Sequence, residues 1–305
     1  MSYHPHILFM VKIVFALAII FIPLQATGVV SMSDMTGPWQ LFVDNYLITD
    51  KTNVVRTYHP FEKYEGNPIM VADKPWEHKV VTGGTILPNE ARTGYRMWYS
   101  CRTSKEDPAR GHPLYATSED GITWVKPALG LVPWYGGSTD NNILPSRASP
   151  IHTPWNADPK RRYTSMAGHK GRYGPSWSED GIHWKAAPKP QLQDGSDVGK
   201  FQWDPHTRQY RAYVKIIREV SGLRRRCVGF SSTADIESWP PLELVMTPDD
   251  FDDRWTKKGT VQRTHFYGCP VYSYETMYIG LVDIFRGEDE KGYFHGPVFT
   301  ELVTS

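Results

Sequence analysis

Cysteine is scarce in this sequence of 305 residues, with only Cys101, Cys227 and Cys269. At most one disulfide can form among three thiols, so the chain is not a small domain held together by disulfides. The three lie far apart, whereas structural zinc sites use closely spaced cysteine pairs. We therefore expect small buried side chains, no metal site and no cofactor, and whether two of the cysteines pair stays open.

Net charge is also nearly absent, because 34 Lys+Arg balance 33 Asp+Glu to leave +1. Nucleic acids and anionic membranes attract proteins with an excess of positive charge, so neither is the expected partner. The sequence lacks a Gly-Lys-Ser/Thr phosphate loop, a Gly-x-Ser-x-Gly elbow and a His-Glu-x-x-His motif. Nucleotide binding, serine hydrolysis and zinc proteolysis therefore have no positive support.

Long apolar runs are missing except for one near the start. Lys12 precedes the run of residues 13–22, and the small residues Ala26 and Gly28 follow it. This run is shorter than the roughly 20 residues that a membrane-spanning helix needs, so residues 1–26 are predicted to be a signal peptide. An uncleaved N-terminal anchor is the alternative, and only then is a membrane a partner. Both alternatives predict a secreted or periplasmic protein.

Aromatic residues, glycine and proline are abundant, with 11 Trp, 17 Tyr, 25 Gly and 24 Pro. This mixture favours short strands joined by many turns. In segments such as Tyr95–Tyr99 and Gln209–Tyr213, large apolar residues tend to alternate with polar or small ones, which is the period-two pattern of half-buried strands. The sequence therefore predicts an all-β fold.

One heptapeptide occurs twice, as Ser-Glu-Asp-Gly-Ile-Thr-Trp at 118–124 and Ser-Glu-Asp-Gly-Ile-His-Trp at 178–184. A weaker third copy spans Ser232–Trp239. Asp-Gly between apolar runs predicts a hairpin with a type I′ turn, in which both central residues have positive φ. With an aromatic strand before each turn, the repeat contains four strands in roughly 50 to 70 residues, which is typical of a β-propeller blade.

The repeat divides the chain into blades. We predict blades at 78–130, 148–192, 198–246 and 264–305, so that 78–305 forms the propeller and 27–77 an initial strand with a lead-in segment. Residues 299–305 align with the strand before the first Asp-Gly turn. The fourth blade is therefore predicted to be incomplete, and the whole to be a truncated five-bladed propeller.

Several of these segments together resemble a family. They are Leu41–Ile48, Tyr95–Tyr99, the two Ser-Glu-Asp-Gly-Ile turns and Phe201–Pro205. They are similar to secreted five-bladed propeller proteins related to glycosyl hydrolase families 32 and 43, a largely uncharacterised bacterial group, over about residues 40–305. The resemblance implies an axial pocket where carboxylates from different blades hydrolyse an oligo- or polysaccharide. The catalytic motifs of true family 32 enzymes are missing, so no residue is transferred from them.

Candidate acids are those just before the predicted inner strands, where side chains converge on the axis. Hydrolysis needs two carboxyls, about 5 Å apart for retention or about 6.5 to 9.5 Å for inversion. Asp197 ranks first because its polar loop leads into the inner strand from Lys200, and Glu77 ranks second. The other candidate acids are Asp140 and Asp44. The predicted substrate-binding residues are Trp76, His78, Asn142, His265 and Tyr267.

Each assignment has a structural alternative. Asp197 would then be a solvated loop acid, Trp76 with Glu77 an anchor on the first blade, and Asp44 a polar contact within its strand. The rival function is a non-catalytic carbohydrate-binding or scaffold propeller. Its sugar-stacking residues would be Trp76, Trp134, Tyr135 and Trp155. Two carboxyls facing one pocket would favour the enzyme over this rival.

Overall fold

The structure is a computed structural model that describes residues 41–45, 48–102, 111–134, 137–169, 171–254, 256, 261–275, 277–288 and 298–305. The predicted signal peptide, residues 1–26, and Tyr135 lie outside these ranges. The chain divides into two compact units, Met1–Val43 and Asp44–Ser305, and every strand below belongs to the second. Within the described ranges, no helix is long and apolar enough to cross a membrane.

Four antiparallel sheets follow one another along the described chain. The first contains β1 (Lys79–Pro88), β2 (Tyr95–Arg102) and β3 (His112–Ser118). The second contains β4 (Ile151–His152), β5 (Tyr163–His169), β6 (Arg172–Ser178) and β7 (Lys185–Ala186). The third contains β8 (Gly199–Asp204), β9 (Gln209–Val220), β10 (Leu223–Thr233) and β11 (Glu243–Met246). The fourth contains β12 (Val261–Gly268), β13 (Val271–Tyr274), β14 (Met277–Glu288) and β15 (Val298–Thr304).

Helical structure is confined to short turns in the described residues. The helix α1 (Asp250–Asp253) begins at Asp249, whose side chain accepts hydrogen bonds from the backbone N–H groups of Phe251 and Asp252. This is the usual way to satisfy the free N–H groups at a helix start. A single 3₁₀ turn, Pro159–Arg161, begins at Asp158 in the same manner. The side chains of Asp158 and Asp204 both accept such local N–H bonds.

The outer edge of the first sheet and the inner edge of the fourth sheet depart from a simple four-strand pattern. In the first sheet, two separate segments occupy the position beside β3, because Val125 pairs with Thr117 and Ile143 pairs with Leu114. In the fourth sheet, β12 and β13 share one edge of β14, and β15 pairs along the other edge. The innermost strand of this sheet is therefore broken into two pieces.

Successive sheets pack face to face through apolar side chains. Trp98 and Tyr115 of the first sheet pack with Ile182 of the second, and Met166 of the second packs with Val214 of the third. Further buried contacts join the third and fourth sheets, and these are made by Val228, Phe266, Val271 and Val282. The innermost strands of all four sheets line one cavity. This arrangement is a β-propeller with four described blades, which confirms the predicted all-β propeller class.

The three tryptophan turns are equivalent. The indole N–H donates to the carbonyl oxygen three residues earlier at 3.1 Å in Trp124, 3.0 Å in Trp184 and 2.8 Å in Trp239. In the first copy, the Asp120 carboxylate accepts hydrogen bonds from the backbone N–H groups two and three residues ahead, those of Ile122 and Thr123. The same bonds occur at Asp180. The repeat therefore encodes one local structure.

The predicted turn type is wrong. In both heptapeptide copies only the glycine has positive φ, 78° at Gly121 and at Gly181, whereas a type I′ turn needs it at the aspartate too. The aspartate side chain instead bonds the following backbone and holds a longer loop. Asp is favoured here because its short carboxylate reaches N–H groups two and three residues ahead.

Candidate active site

The loop before β8 presents Asp197 in a fixed position. The Tyr173 hydroxyl donates to the carbonyl oxygen of Ser196 at 2.6 Å. At Gly195 a Cβ atom would lie 2.7 Å from the Val214 side chain, so only glycine fits this close approach. The sequence predicts a flexible loop because it contains glycine and serine, but these contacts hold it against β6 and β9.

The Asp197 carboxylate is 71 % exposed and is held from the protein side by one ammonium group and one hydroxyl. It pairs with the Lys215 ammonium group and accepts from the Ser196 hydroxyl at 3.0 Å. Burial, and after it the nearby Asp197 charge, raise the pKa of Tyr267. The hydrogen bond from Lys215 is the main cause that holds the pKa of Asp197 below its usual value. This carboxylate is therefore ionised at neutral pH, with one side open to solvent.

Lys215 lies on β9, and its side chain is only 4 % exposed. Its ammonium nitrogen is 4.0 Å from the centroid of the Tyr267 ring, within the range of a cation–π contact. Burial lowers the pKa of Lys215, and the bond to Asp197 opposes that effect. A buried ammonium needs such partners, so Lys215 joins the loop before β8 to the inner strand of the fourth sheet.

His265 and Tyr267 share β12 but differ in their surroundings. The Tyr267 ring packs on Phe285 with centroids 4.8 Å apart and contacts Lys215. The His265 side chain is buried, and its Nδ1 accepts the backbone N–H of Arg226 at 3.0 Å. The structure thus brings the predicted residues Asp197, His265 and Tyr267 to one region, where the burial of His265 favours a structural role.

Glu77 lies in a different, enclosed cluster. Its side chain is 0 % exposed and accepts from Lys126 Nζ at 2.6 Å and from the Tyr99 hydroxyl at 2.8 Å. The backbone N–H groups of Asp73 and Lys74 also donate to it. These contacts are those of a buried ion pair whose carboxylate oxygens are occupied by protein donors. A catalytic role of Glu77 stays a prediction, and its surroundings favour the structural alternative.

Trp76 and Asn142 belong to the same enclosed cluster. The Trp76 indole N–H donates to Asn142 Oδ1 at 2.8 Å, and Asn142 Nδ2 donates to the Tyr99 hydroxyl at 2.8 Å. Asn142 is predicted to precede the inner strand of the second blade. It lies instead beside β3, where its carbonyl accepts the N–H of Tyr115, because the chain returns to complete the first sheet.

The other predicted residues lie outside both clusters. His78 is exposed, and its N–H bonds the Arg102 carbonyl at the start of β1. Asp140 is exposed, with its N–H on the Ser138 hydroxyl at 3.2 Å. Asp44 is exposed, and its carbonyl accepts from Arg56. The described hydrogen bond of His78 reaches β2 and that of Asp140 stays within its own turn, so the structure does not join either residue to Asp197.

A cavity of about 930 Å³ lies between the innermost strands. Its walls come from β1, β4, β8 and β13, and they include Trp155, His152, Trp203 and Tyr272. None of the described lining residues is a carboxylate. Gly199 and Lys200 also line it, so Asp197 lies two residues before the wall of the cavity. This geometry associates one acid with one aromatic-lined cavity.

Sequence reasoning missed Lys215, Lys126 and the cavity aromatics Trp203 and Tyr272. One signal for Lys215 was present, because it interrupts an apolar strand at Tyr-Val-Lys-Ile-Ile. A lysine flanked by apolar residues within a central strand is usually buried with a partner. Of the aromatic residues in the binding hypothesis, Trp76 and Trp134 pack on each other with centroids 6.1 Å apart, and Trp155 lines the cavity.

The fold and the site define a β-propeller with a candidate site at its inner strands. No family model and no curated protein matches the chain. Among solved structures, it is similar to a protein described as a glycoside hydrolase, with a TM-score of 0.48, 13% identity, and coverage of 77% of this chain and 73% of that one.

Two further solved structures carry family numbers. A thermostable family-43 glycoside hydrolase gives a TM-score of 0.41 and 12% identity, over 73% of this chain and 77% of that one. A GH32 β-fructofuranosidase of Bombyx mori gives 0.44 and 9%, over 70% and 43%. All three TM-scores are below 0.5 and all three identities are below 25%, so these similarities carry no argument about the family of the chain. We draw no activity from similarities this low.

Proposed function

We propose that the protein is a glycoside hydrolase acting on an oligo- or polysaccharide, with Asp197 as the ionised member of a carboxyl pair. The observation that carries this proposal is the setting of Asp197. Its exposed carboxylate is fixed by Lys215 and Ser196 directly before β8, which lines the axial cavity. A positioned carboxylate beside a concave site is what attack on a sugar requires.

The lowered pKa of Asp197 favours one of the two catalytic roles. A general acid must hold its proton at the working pH, whereas a base or nucleophile must be ionised. The bond from Lys215 lowers the pKa of Asp197. We therefore assign Asp197 to the base or nucleophile role and not to the acid role.

The partner acid is the open part of this proposal. Glu77 is enclosed by four donors, and Asp140 lies near the segment that borders the outer edge of the first sheet. Asp44 is exposed and is the remaining predicted acid. We propose Asp44 as the first residue to test for that role.

A binding propeller without catalysis is the second candidate function. The observation that favours it is the wall of the axial cavity, which contains Trp155, Trp203 and Tyr272 but no carboxylate among its described residues. Aromatic rings present a large apolar face at low conformational cost, which suits a sugar ring. In this alternative, sugar would bind in the cavity without being cleaved.

The proposal extends to location and blade number. Export directed by residues 1–26 would bring the protein to extracellular or periplasmic polysaccharide. A fifth blade would cover the far face of the fourth sheet, where Leu281 and Leu302 are directly paired and exposed. An apolar sheet face in water is the kind of surface that another sheet covers.

The experiment that tests the function is a substrate screen. The full chain is incubated with aryl glycosides and with plant, algal and microbial polysaccharides, and released reducing sugar and retained binding are both measured. We expect turnover of at least one substrate that disappears in Asp197→Asn. Binding without turnover throughout the panel would replace the hydrolase by the binding propeller.

A further inference from the structure

Trp155 and Trp203 form a rigid aromatic platform at the end of β8 away from Asp197. Their ring centroids are 4.8 Å apart and their planes differ by 32°. The Trp203 ring packs edge-to-face against the Tyr210 ring, with centroids 4.9 Å apart. Tyr210 belongs to the core between the second and third sheets. Trp155 remains 50% exposed. One face of its indole therefore rests on a fixed support while the ring keeps a large accessible surface.

The platform lies well away from Asp197. Asp197 precedes Gly199, the first residue of β8, whereas Trp203 is next to its last residue. Four residues of extended strand span roughly 13 Å at about 3.3 Å per residue. Trp155 follows β4 and meets Trp203, so the platform gathers the ends of two inner strands. A ligand on this platform would occupy the opposite part of the cavity from the acid.

The remaining lining residues restrict the chemistry of that ligand. Tyr272, which is 56% exposed, adds a third aromatic ring, and hydrogen-bonding side chains are supplied by His152, Gln202 and Ser273. Burial lowers the pKa of His152, so its imidazole is neutral at neutral pH and offers one donor and one acceptor. Lys200 is the one charged residue among the described lining.

Neutral sugars match this lining better than charged ligands do. A cation would meet no carboxylate, and a polyanion would meet a single ammonium group. A pyranose or furanose ring has an apolar face for the indole and hydroxyls for amide, imidazole and serine groups. Because the platform is already rigid, binding would cost little side-chain ordering.

We infer that the axial cavity contains a binding subsite for neutral sugar residues on the Trp155–Trp203 platform, separate from the Asp197 cluster. The inference rests on the proposed function in taking the ligand to be a carbohydrate. It deepens that function by making the substrate class neutral and long enough to reach both ends of β8.

The test separates this inference from hydrolysis by measuring binding in a variant expected not to turn over. Calorimetry and tryptophan fluorescence are recorded for Asp197→Asn with neutral xylo-, manno-, cello- and arabino-oligosaccharides, with oligogalacturonate and with adenosine. We expect a neutral oligosaccharide to bind and the other two probes not to bind. In the same background, Trp155→Ala should weaken binding at least about tenfold, which corresponds to about 1.4 kcal/mol.

Control variants keep the test decisive. Phe251→Ala removes another exposed ring, 55% accessible and not part of the cavity lining, and should leave the affinity unchanged. Tyr272→Ala and Trp155→Phe repeat the test if Trp155→Ala does not fold. Unchanged affinity in the cavity variants, or preferred binding of oligogalacturonate or adenosine, overturns the subsite. If neutral sugars bind but the unmodified chain turns none of them over, the subsite is supported and hydrolysis is overturned. If the unmodified chain turns over a substrate but neutral sugars do not bind in this way, hydrolysis is supported and the subsite is overturned.

Discussion

Two regions of the molecule contain the same three residue types in contact, a carboxylate, a lysine and a tyrosine. In the first sheet they are Glu77, Lys126 and Tyr99, and between the third and fourth sheets they are Asp197, Lys215 and Tyr267. Both lysine side chains are 4 % exposed. The acids differ, because Glu77 is 0 % exposed and Asp197 is 71 % exposed.

This difference decides which acid can meet a substrate. The Glu77 oxygens accept from two backbone N–H groups, a hydroxyl and an ammonium group, so the protein satisfies them. The Asp197 carboxylate is held on one side and hydrated on the other. The ion pair therefore stabilises the fold in the Glu77 cluster, whereas in the Asp197 cluster it holds a candidate reactive carboxylate.

The largest expected effect comes from removing the two lysines. Lys126→Met leaves Glu77 charged and buried without its partner, which should lower the free energy of unfolding by about 3 to 5 kcal/mol. Lys215→Met should lower it by less than about 1 kcal/mol, because water still solvates Asp197. Urea unfolding followed by tryptophan fluorescence measures both. Equal losses would show that exposure of the acid does not distinguish the clusters, and Lys126→Met with Glu77→Gln should recover part of the loss.

The next effect is on catalysis. Asp197→Asn keeps the side-chain shape but removes the charge, so turnover of a substrate found in the screen should fall at least about a hundredfold. The melting temperature should change little because the asparagine oxygen can still accept a hydrogen bond from the Lys215 ammonium group. Glu77→Gln is the matched change in the enclosed cluster and should act on stability instead. A large loss of turnover in a stably folded Glu77→Gln protein, with Asp197→Asn active, would exchange the roles of the two regions.

A third prediction concerns pH. Lys215 is the main cause of the lowered pKa of Asp197, so Lys215→Met should raise that pKa and move the acidic limb of kcat/KM to higher pH. Other groups that face this carboxylate are Tyr267, Tyr173 and Ser196, and Arg226 acts on both Lys215 and Tyr267.

The measurement pairs a pH–rate profile with carboxyl NMR titration of Asp197. A depressed folded-state pKa contributes stability above the unfolded pKa, and this contribution disappears as pH falls through the folded value. The Lys215→Arg variant keeps a positive charge and should leave the acidic limb closer to its original position. An acidic limb that stays in place in Lys215→Met would remove Lys215 as the group that sets the ionisation of Asp197.

The smallest effect separates the two tyrosines. The Tyr99 hydroxyl donates to Glu77 and accepts from Asn142, so Tyr99→Phe leaves buried polar groups unsatisfied and should cost about 1 to 3 kcal/mol of unfolding free energy. Tyr267→Phe keeps the ring that contacts Lys215 and removes only a hydroxyl near an exposed carboxylate, so it should cost under about 1 kcal/mol. Thermal or urea unfolding of both variants measures the difference, and similar costs would mean that the Asp197 cluster is also a stability element.

The sequence predicted the repeated architecture because its signals are local. The indole N–H bonds of Trp124, Trp184 and Trp239 each span three residues, and the aspartate bonds span two or three. Contacts between residues so close in the chain can be predicted from a short stretch of sequence. The type I′ turn was misread because Asp-Gly alone does not reveal whether the aspartate side chain takes over the bonding of the turn.

The site was less predictable because its contacts are distant in the chain. Glu77 meets Lys126 after 49 residues, and Trp76 meets Asn142 after 66 residues. Nothing near Asn142 shows that residues 141–144 return to the edge of the first sheet. Asp197 was placed correctly next to an inner strand, since β8 begins two residues later, but its partner Lys215 comes from the following strand.

The contact between the second tryptophan turn and the first sheet also bears on the time course of folding. Trp98 donates its indole N–H to the carbonyl of Gly181 at 2.6 Å, and Arg96 donates to the carbonyl of Asp180. Trp98 of the first sheet therefore comes 83 residues before Gly181, which belongs to the turn that docks on this sheet. At about 5 to 20 residues per second, a ribosome makes Trp98 about 4 to 17 s before Gly181. Because β3 ends at Ser118, strands β2 and β3 have about 3 to 13 s to pair before Gly181 is made. The docking surface can therefore be formed on the nascent chain before the turn that fits it has been translated.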